Sequence, residues 1–131
     1  MHKSGDTITK QIVTPNITVT LRNDGIVHIY VEENTLITVD IQNEMLDTYR
    51  KVTDCRRKFV FEAGAFVSIT KKARENAILI EDCSPVNGSA VIVSNLGQKI
   101  LADYYYKFNK PKRPLALFRT KEDGIKWLKS L

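Results

Sequence analysis

The stretch that decides the fold is residues 17–31, ITVTLRNDGIVHIYV. Its first half alternates apolar and polar residues, which is the pattern of a half-buried strand. Asn23-Asp24-Gly25 then predicts a turn, because glycine tolerates the positive φ of a tight hairpin. The apolar residues from Ile26 to Val31 predict a second strand, so the stretch as a whole predicts an antiparallel hairpin.

Helices and apolar strands alternate after the hairpin. Residues 38–52 carry apolar side chains at spacings of three and four, which indicates a helix whose first residues Thr38 or Asp40 can cap. The strands Phe59-Val60-Phe61 and Ala90-Val91-Ile92-Val93 are apolar on both faces, as central strands covered by helices are. The sequence therefore predicts an α/β domain in which later strands are buried on two sides.

The remaining elements complete the order ββαβαβαβα. They are a loop at 62–70, a helix at 71–81 capped by Thr70 or Ser68, a turn at 86–88, a helix at 96–108, a strand at 115–118 and a last helix capped by Thr120. Right-handed crossovers make the later strands parallel, so the sheet is mixed. We divide the chain into residues 1–16, which form an arm or an edge strand, and a single domain at 17–131.

Composition excludes several classes of protein. The 131 residues, 43% hydrophobic and 27% charged, are those of a soluble globular domain. The longest apolar stretch, Ala90 to Val93, is far too short to span a bilayer, and no secretory signal is visible, so we expect a cytoplasmic location. The net charge of +5 comes from basic groups interspersed with acids, which argues against a nucleic-acid partner.

The sequence contains no recognisable catalytic or metal-binding motif. Cys55 and Cys83 lie far apart, and the two histidines cannot complete a zinc site of the usual spacing. We expect both cysteines to be free, buried or half-buried thiols, and His28 to be a structural histidine within its strand. We predict no enzymatic activity, no cofactor and no metal.

The order of elements resembles the SpoIIAA-like fold, which holds the STAS domains. The stretches that carry the resemblance are Phe66–Thr70 before the second helix, Leu115–Phe118, and Glu122–Leu128 with its Trp-Leu ending. The resemblance covers Ile17 to Leu131 and is strongest to small uncharacterised bacterial STAS-like proteins. These proteins are distant kin of the anti-sigma-factor antagonists and of the CRAL-TRIO lipid-binding domains.

The resemblance implies a regulatory protein–protein interaction domain whose partner is an unknown regulatory protein. The docking face of such a domain is the loop after the third strand together with the second helix. The candidate partner-binding residues on this face are Gly64, Phe66, Ser68, Thr70, Lys71, Lys72 and Arg74. We expect Phe66 either to contact a partner or to cap the core, and Gly64 to allow a close backbone approach, to adopt a positive φ or to form an ordinary turn.

One departure from the family concerns phosphorylation. STAS antagonists carry an Asp-Ser motif where the third strand meets the second helix, and that pair is absent from Glu62–Thr70. This absence argues against phosphorylation control of the usual kind. Ser68 and Thr70 remain candidate phosphorylation sites, because a phosphate is favourable near a helix N-terminus, and helix capping is the alternative role for both hydroxyls.

The alternative function is a small-molecule or lipid-binding module with a pocket between helices and sheet. Its candidate contacts are Tyr104, Tyr105 and Tyr106, since a helix cannot bury three successive residues on one narrow stripe. The same three tyrosines are candidate contacts of a homodimer, or they belong to a wide buried face with hydroxyls at its rim.

Overall fold

The predicted alternation of strands and helices is present throughout the part of the chain that the structure, a computed structural model, describes: residues 8–93 and 112–131. The strands are β1 (Ile8–Val13), β2 (Ile17–Arg22), β3 (Val27–Val31), β4 (Leu36–Ile37), β5 (Arg57–Ala63), β6 (Ser68–Ile69), β7 (Val86–Ile92) and β8 (Leu115–Phe118). The helices are α1 (Val39–Val52), α2 (Lys71–Leu79) and α3 (Lys121–Lys129), with a short 3-10 helix (Glu81–Cys83) after α2.

Six strands form one mixed sheet in the order β1-β2-β3-β5-β7-β8. The β1–β2 and β2–β3 pairs are antiparallel, and the β3–β5, β5–β7 and β7–β8 pairs are parallel. The predicted α/β architecture, an antiparallel hairpin followed by parallel strands, is confirmed. The hairpin turn closes at Gly25, whose φ of 82° is one that glycine adopts without strain.

The N-terminal residues of the described part lie at one edge of this sheet. Residues 8–13, for which the sequence allows an arm or an edge strand, form β1 beside β2. Ile12 packs against the buried core, and Gln11 donates a hydrogen bond from Nε2 to Thr20 Oγ1 over 2.9 Å. Side chains on both faces of β1 therefore contact the body of the domain.

Alternate residues of β5 build two separate cores. Phe59 is fully buried on the face that α1 covers, and its ring meets Tyr49 edge-on with centroids 5.1 Å apart. Val60 is fully buried on the opposite face, where α3 contributes Ile125 and Leu128. Because a strand directs successive side chains to opposite faces, β5 has to be apolar throughout its middle.

The two helices on the first face are joined by a polar contact. Gln42 of α1 donates a hydrogen bond from Nε2 to the Ala73 carbonyl over 2.9 Å, and Asn76 of α2 donates from Nδ2 to Gln42 Oε1 over 2.8 Å. Ala73 is completely buried, so the small residue lets the helices approach. These bonds fix how α2 is oriented against α1.

Two predictions about local structure are wrong. Residues 86–88 belong to β7 instead of forming a turn, because Gly88, with a φ of 144°, adopts a conformation that bulges the strand without ending it. The register of β5 against β7 shifts there, between the Arg57–Val86 and Phe59–Ser89 pairs. The predicted 62–70 loop is also shorter, since β5 continues to Ala63 and β6 occupies residues 68–69.

The cysteine prediction is half correct. Cys55 and Cys83 are free thiols, but both are exposed and neither is buried. They lie in the connections that precede β5 and β7, where the chain enters the sheet from the surface. The predicted helix at 96–108 lies outside the described residues.

The two-sided burial of β5 makes Phe59 the side chain on which stability depends most. Replacing Phe59 by Ala should lower the free energy of unfolding by about 3–5 kcal/mol, because the change removes a buried ring and leaves a cavity beside Tyr49. Urea denaturation measures the change. Leu79→Ala is the matched control, since Leu79 is 79% exposed and its truncation should leave the free energy nearly unchanged. A loss below about 1 kcal/mol for Phe59→Ala would contradict the assigned core.

Candidate functional site

Two loops meet where β3 and β5 end. Both strands are parallel, so their carboxyl ends lie at the same edge of the sheet, where binding sites of α/β domains usually form. The backbone N–H of Asn34 donates to the Ala65 carbonyl over 2.9 Å. The N–H groups of Ser68 and Thr70 then donate to the Thr35 and Ile37 carbonyls, each over 3.0 Å. The two loops are thus tied together by backbone bonds over their whole length, with β4 and β6 as a short parallel pair.

Gly64 permits this close approach. A Cβ atom at this position would lie 2.8 Å from the Glu33 backbone nitrogen and 2.8 Å from the Tyr30 hydroxyl, a separation that real Cβ atoms do not adopt. Its φ is not in the positive range, so of the sequence-based alternatives the close backbone approach is the one the structure supports. Gly64 acts on the shape of the site and presents no side chain to a partner.

Thr70 and Ser68 have different surroundings. Thr70 is the N-cap of α2: its Oγ1 accepts a hydrogen bond from the Ala73 N–H over 3.1 Å, as Thr38 does for Ile41 at the start of α1. Ser68 is exposed in β6. Of the two hydroxyls, Thr70 is therefore engaged in the helix, and phosphorylation of either residue stays a prediction.

Phe66 does not cap the core. Its side chain is 82% exposed, so this alternative of the sequence analysis is wrong. Its backbone φ of 61° is left-handed, a conformation that costs a residue with a Cβ about 1 kcal/mol. Asn34, on the loop tied to it, has a similar φ of 65°, which asparagine tolerates better than other residues with side chains.

Leu36 adds a second exposed apolar side chain to this surface. It is 50% exposed and is the β4 partner of Ser68. No sequence pattern singles out Leu36 or Asn34, because a two-residue strand is too short to show periodicity. The acidic and polar stretch Glu33-Asn34-Thr35 was the one signal available for a turn there.

The first turn of α2 is charged against the helix dipole. Lys71 and Lys72 are exposed there, and this turn holds no acidic residue. A positive charge at an exposed helix N-terminus is unfavourable by about 0.3–1 kcal/mol. Arg74 is half-buried and donates from its guanidinium to the Ile69 carbonyl over 3.0 Å, so it supports the loop more than it faces solvent.

Other residues singled out in the sequence are accounted for elsewhere. Glu81 accepts hydrogen bonds from the backbone N–H groups of Lys112 and Arg113 over 3.0 and 3.1 Å, so it ties the 3-10 helix to the start of β8. The Tyr104–Tyr106 run lies outside the described residues. Within 8–93 and 112–131 no three His, Cys, Asp or Glu side chains are grouped so that they could hold a metal ion.

His28 is half-buried and satisfied, as expected for a structural histidine. Its Nε2 lies 2.8 Å from Glu62 Oε1, on the face of β3 and β5 opposite α1. Burial lowers the pKa of His28 below its ordinary value of 6.5, and the hydrogen bond with Glu62 opposes this shift only in part. The folded protein therefore favours the neutral imidazole.

The structure has the architecture of the SpoIIAA-like fold. A solved structure of an uncharacterised protein of the DUF3478 family from Shewanella loihica PV-4, whose title states a SpoIIAA-like fold, matches 95% of this chain and 99% of its own with a TM-score of 0.59. The two chains are 12% identical, so the match shows the fold alone. The class of this protein is accordingly a SpoIIAA-like α/β domain, and the predicted resemblance to that fold is confirmed.

The chain belongs to the family described as Domain of unknown function (DUF7793), whose model matches residues 19–131. No curated protein matches the chain. None of the helices in the described part is long and apolar enough to cross a membrane.

Phe66→Asn should raise the free energy of unfolding by about 1 kcal/mol, because asparagine tolerates the left-handed backbone and the exposed ring contributes little burial. Phe66→Ala is the control: it removes the ring but keeps the strained Cβ, so stability should change little. Urea denaturation of both variants measures the difference. If Phe66→Asn is no more stable than Phe66→Ala, the strain argument is wrong, and if Phe66→Ala is clearly less stable than the wild type, the ring contributes to the fold.

The free energy of unfolding should decrease as the pH is lowered, because His28 becomes protonated more easily in the unfolded than in the folded protein. The pKa of His28 is lower in the folded than in the unfolded state. The contribution of His28 to the free energy of unfolding is therefore fully present above about pH 6.5 and is lost as the pH falls through the lowered pKa. His28→Asn should flatten the stability curve between about pH 7.5 and pH 5, and Glu62→Gln should steepen it, since Glu62 favours the protonated form. Denaturation at a series of pH values provides the comparison. Parallel curves for the wild type and His28→Asn would contradict the shift.

Proposed function

We propose that this protein is a non-enzymatic regulatory domain that docks a partner protein at the surface formed by Leu36, Phe66, Ser68, Lys71 and Lys72. We call these five residues the docking surface. The resemblance to STAS domains supports a regulatory role in a bacterial cytoplasm. Four of these residues lie in the loop and helix that this resemblance implies, and Leu36 lies on the adjoining loop. The remaining candidates stabilise the loop: Gly64 allows its close approach, Thr70 caps α2, and Arg74 donates to the Ile69 carbonyl.

The observation that carries the proposal is the state of Phe66. An exposed phenylalanine gains nothing from burial, and its left-handed backbone makes it unfavourable as a turn residue. Burial of the ring against a partner would stabilise the complex and offset the cost of this backbone conformation. Aromatic side chains of this kind are typical anchors of protein interfaces.

The charges beside Phe66 define the chemistry of the partner. Lys71 and Lys72 form a basic margin in the first turn of α2 without an acidic neighbour there. Such a margin attracts carboxylates and accelerates their encounter. We therefore propose a partner segment with an apolar anchor for Phe66 and Leu36 and with acidic residues next to it.

Ser68 supplies a means of control. Its exposed position between Leu36 and the lysines places a phosphate inside the docking surface. A phosphate carries almost two negative charges and would repel an acidic partner while pairing with the lysines. Thr70 is the weaker candidate for modification, because its hydroxyl already accepts the capping bond of α2.

Small-molecule binding is the second candidate function. A cavity of about 190 Å³ lies between α1, α2 and the sheet, and its lining includes Met45, Tyr49 and Phe61. Ligand pockets usually measure about 300–1,000 Å³, so this cavity is small for a lipid or a cofactor. We rank it below protein docking for that reason. Homodimer formation stays a prediction.

Capture from a lysate of the native host tests the docking surface. Wild type, Phe66→Asn and Leu79→Asn are immobilised in equal amounts, and the retained proteins are quantified by mass spectrometry. Leu79 is the matched control, because it is as exposed as Phe66, at 79% against 82%, but lies at the other end of α2. We expect a protein retained by the wild type and by Leu79→Asn that falls at least about tenfold with Phe66→Asn, which is the loss of an interface anchor.

The captured protein is then used to test whether the charges of Lys71 and Lys72 contribute to binding. Its affinity for Lys71→Gln/Lys72→Gln should be weaker and less sensitive to salt than its affinity for the wild type. Equal capture by Phe66→Asn and Leu79→Asn would contradict the proposal, because Phe66→Asn removes the ring and is expected to keep the fold.

A further inference from the structure

The two cysteines of the chain line one cavity at the opposite end of the sheet. Cys55 precedes β5 and Cys83 ends the 3-10 helix before β7, and both side chains are exposed. The cavity measures about 360 Å³, and its lining also contains Arg50 and Arg56. Twenty-seven residues separate the cysteines in the sequence, so only the tertiary fold brings them to one surface.

A backbone hydrogen bond joins the segment that contains Cys55 to the segment that contains Cys83. The Arg57 N–H donates to the Pro85 carbonyl over 2.9 Å, and Cys55 and Cys83 each lie two residues before this bond. Further out, the Arg56 guanidinium donates to the Asp82 carbonyl over 2.9 Å. These two bonds hold the segment before β5 against the segment before β7, so both thiols lie on neighbouring segments of one surface. A disulfide between them requires their Cα atoms to come within about 4.4–6.8 Å.

Neither thiol is locked in place. The Cys83 thiol donates to the Ile80 carbonyl over 3.2 Å, and Cys55 Sγ lies 3.6 Å from Thr53 Oγ1. Each contact stays within its own segment, and thiols make weak hydrogen bonds. Because both side chains are exposed, rotation about their Cα–Cβ bonds breaks these contacts without opening the core.

The cavity is lined by two arginines, Arg50 and Arg56, and by two aspartates, Asp54 and Asp82, so its formal charges balance. Arg50 donates to the Cys83 carbonyl over 3.1 Å, so its guanidinium lies beside that residue. Asp82 already pairs with Lys112 over 3.3 Å. An arginine in this lining can donate paired hydrogen bonds to a carboxylate of a small disulfide such as oxidised glutathione.

We propose that Cys55 and Cys83 form a reversible dithiol–disulfide pair that responds to low-molecular-weight disulfides. One cysteine thiolate attacks a sulfur of oxidised glutathione, which forms a mixed disulfide and releases one glutathione thiolate. The second cysteine thiolate attacks the protein sulfur of that mixed disulfide and releases the other glutathione thiolate. The two thiolates that leave take up the two protons that the cysteines lost, so two protein thiols are oxidised and one glutathione disulfide is reduced.

Intact-mass spectrometry under non-denaturing oxidation tests the pair. Reduced wild type, Cys55→Ser and Cys83→Ser are incubated with oxidised glutathione, quenched with acid and weighed without reductant. We expect the wild type to remain a monomer that has lost two hydrogen atoms and carries no glutathione. Each serine variant should keep one glutathione, because it has no second thiol to displace it.

The other outcomes overturn the proposal. A wild type that carries two glutathione molecules has two independent thiols, an unchanged mass means unreactive thiols, and a disulfide-linked dimer means pairing between molecules. A second measurement tests whether the disulfide is compatible with the native fold. The oxidised monomer should melt at a higher temperature than the reduced one, since a disulfide restricts the unfolded chain. A lower melting temperature would mean that the bond forms only after the native arrangement is distorted.

Discussion

The structure depends on the burial of β5 on both of its faces. Phe59 is fully buried beneath α1 and Val60 is fully buried beneath α3, so a shift of one residue would exchange the two cores. This strand is therefore fixed in position and register. Both candidate sites lie at its ends, with Gly64 directly after its last residue and Cys55 two residues before its first.

A fixed strand end allows the neighbouring loop to hold an unfavourable conformation. Backbone bonds from Asn34, Ser68 and Thr70 tie the loop after β5 to the loop after β3, and these bonds do not depend on the Phe66 ring. The loop can thus keep Phe66 exposed and left-handed at a cost that the rest of the domain offsets. The same reasoning applies to Lys71 and Lys72, which oppose the dipole of a helix whose cap and packing already stabilise it.

The two ends of the sheet carry different chemistry. β5 contains seven residues, which corresponds to about 23 Å between the docking surface and the thiol cavity. The docking end presents apolar and basic groups, and the other end presents two thiols beside arginines. Helix α2 adjoins both, because it begins at Lys71 and is followed by the 3-10 helix that ends at Cys83.

The sequence by itself determined the architecture, because the fold follows from local patterns. Alternation predicted β2 and β3, the spacing of apolar residues predicted α1, and threonines at 38, 70 and 120 cap the three described helices. The position of the loop between β5 and α2 also followed from the predicted order of elements. Each of these signals lies within a few neighbouring residues, and is therefore visible in the sequence.

Only the tertiary structure decided how the loops and thiols are placed and exposed. The bulge at Gly88 depends on the neighbouring strand, and the need for glycine at position 64 depends on Glu33 and Tyr30 from another loop. The exposure of Phe66 and the shared cavity of Cys55 and Cys83 depend on contacts between segments that are distant in sequence. Burial and proximity are properties of the assembled sheet, so no local pattern encodes them.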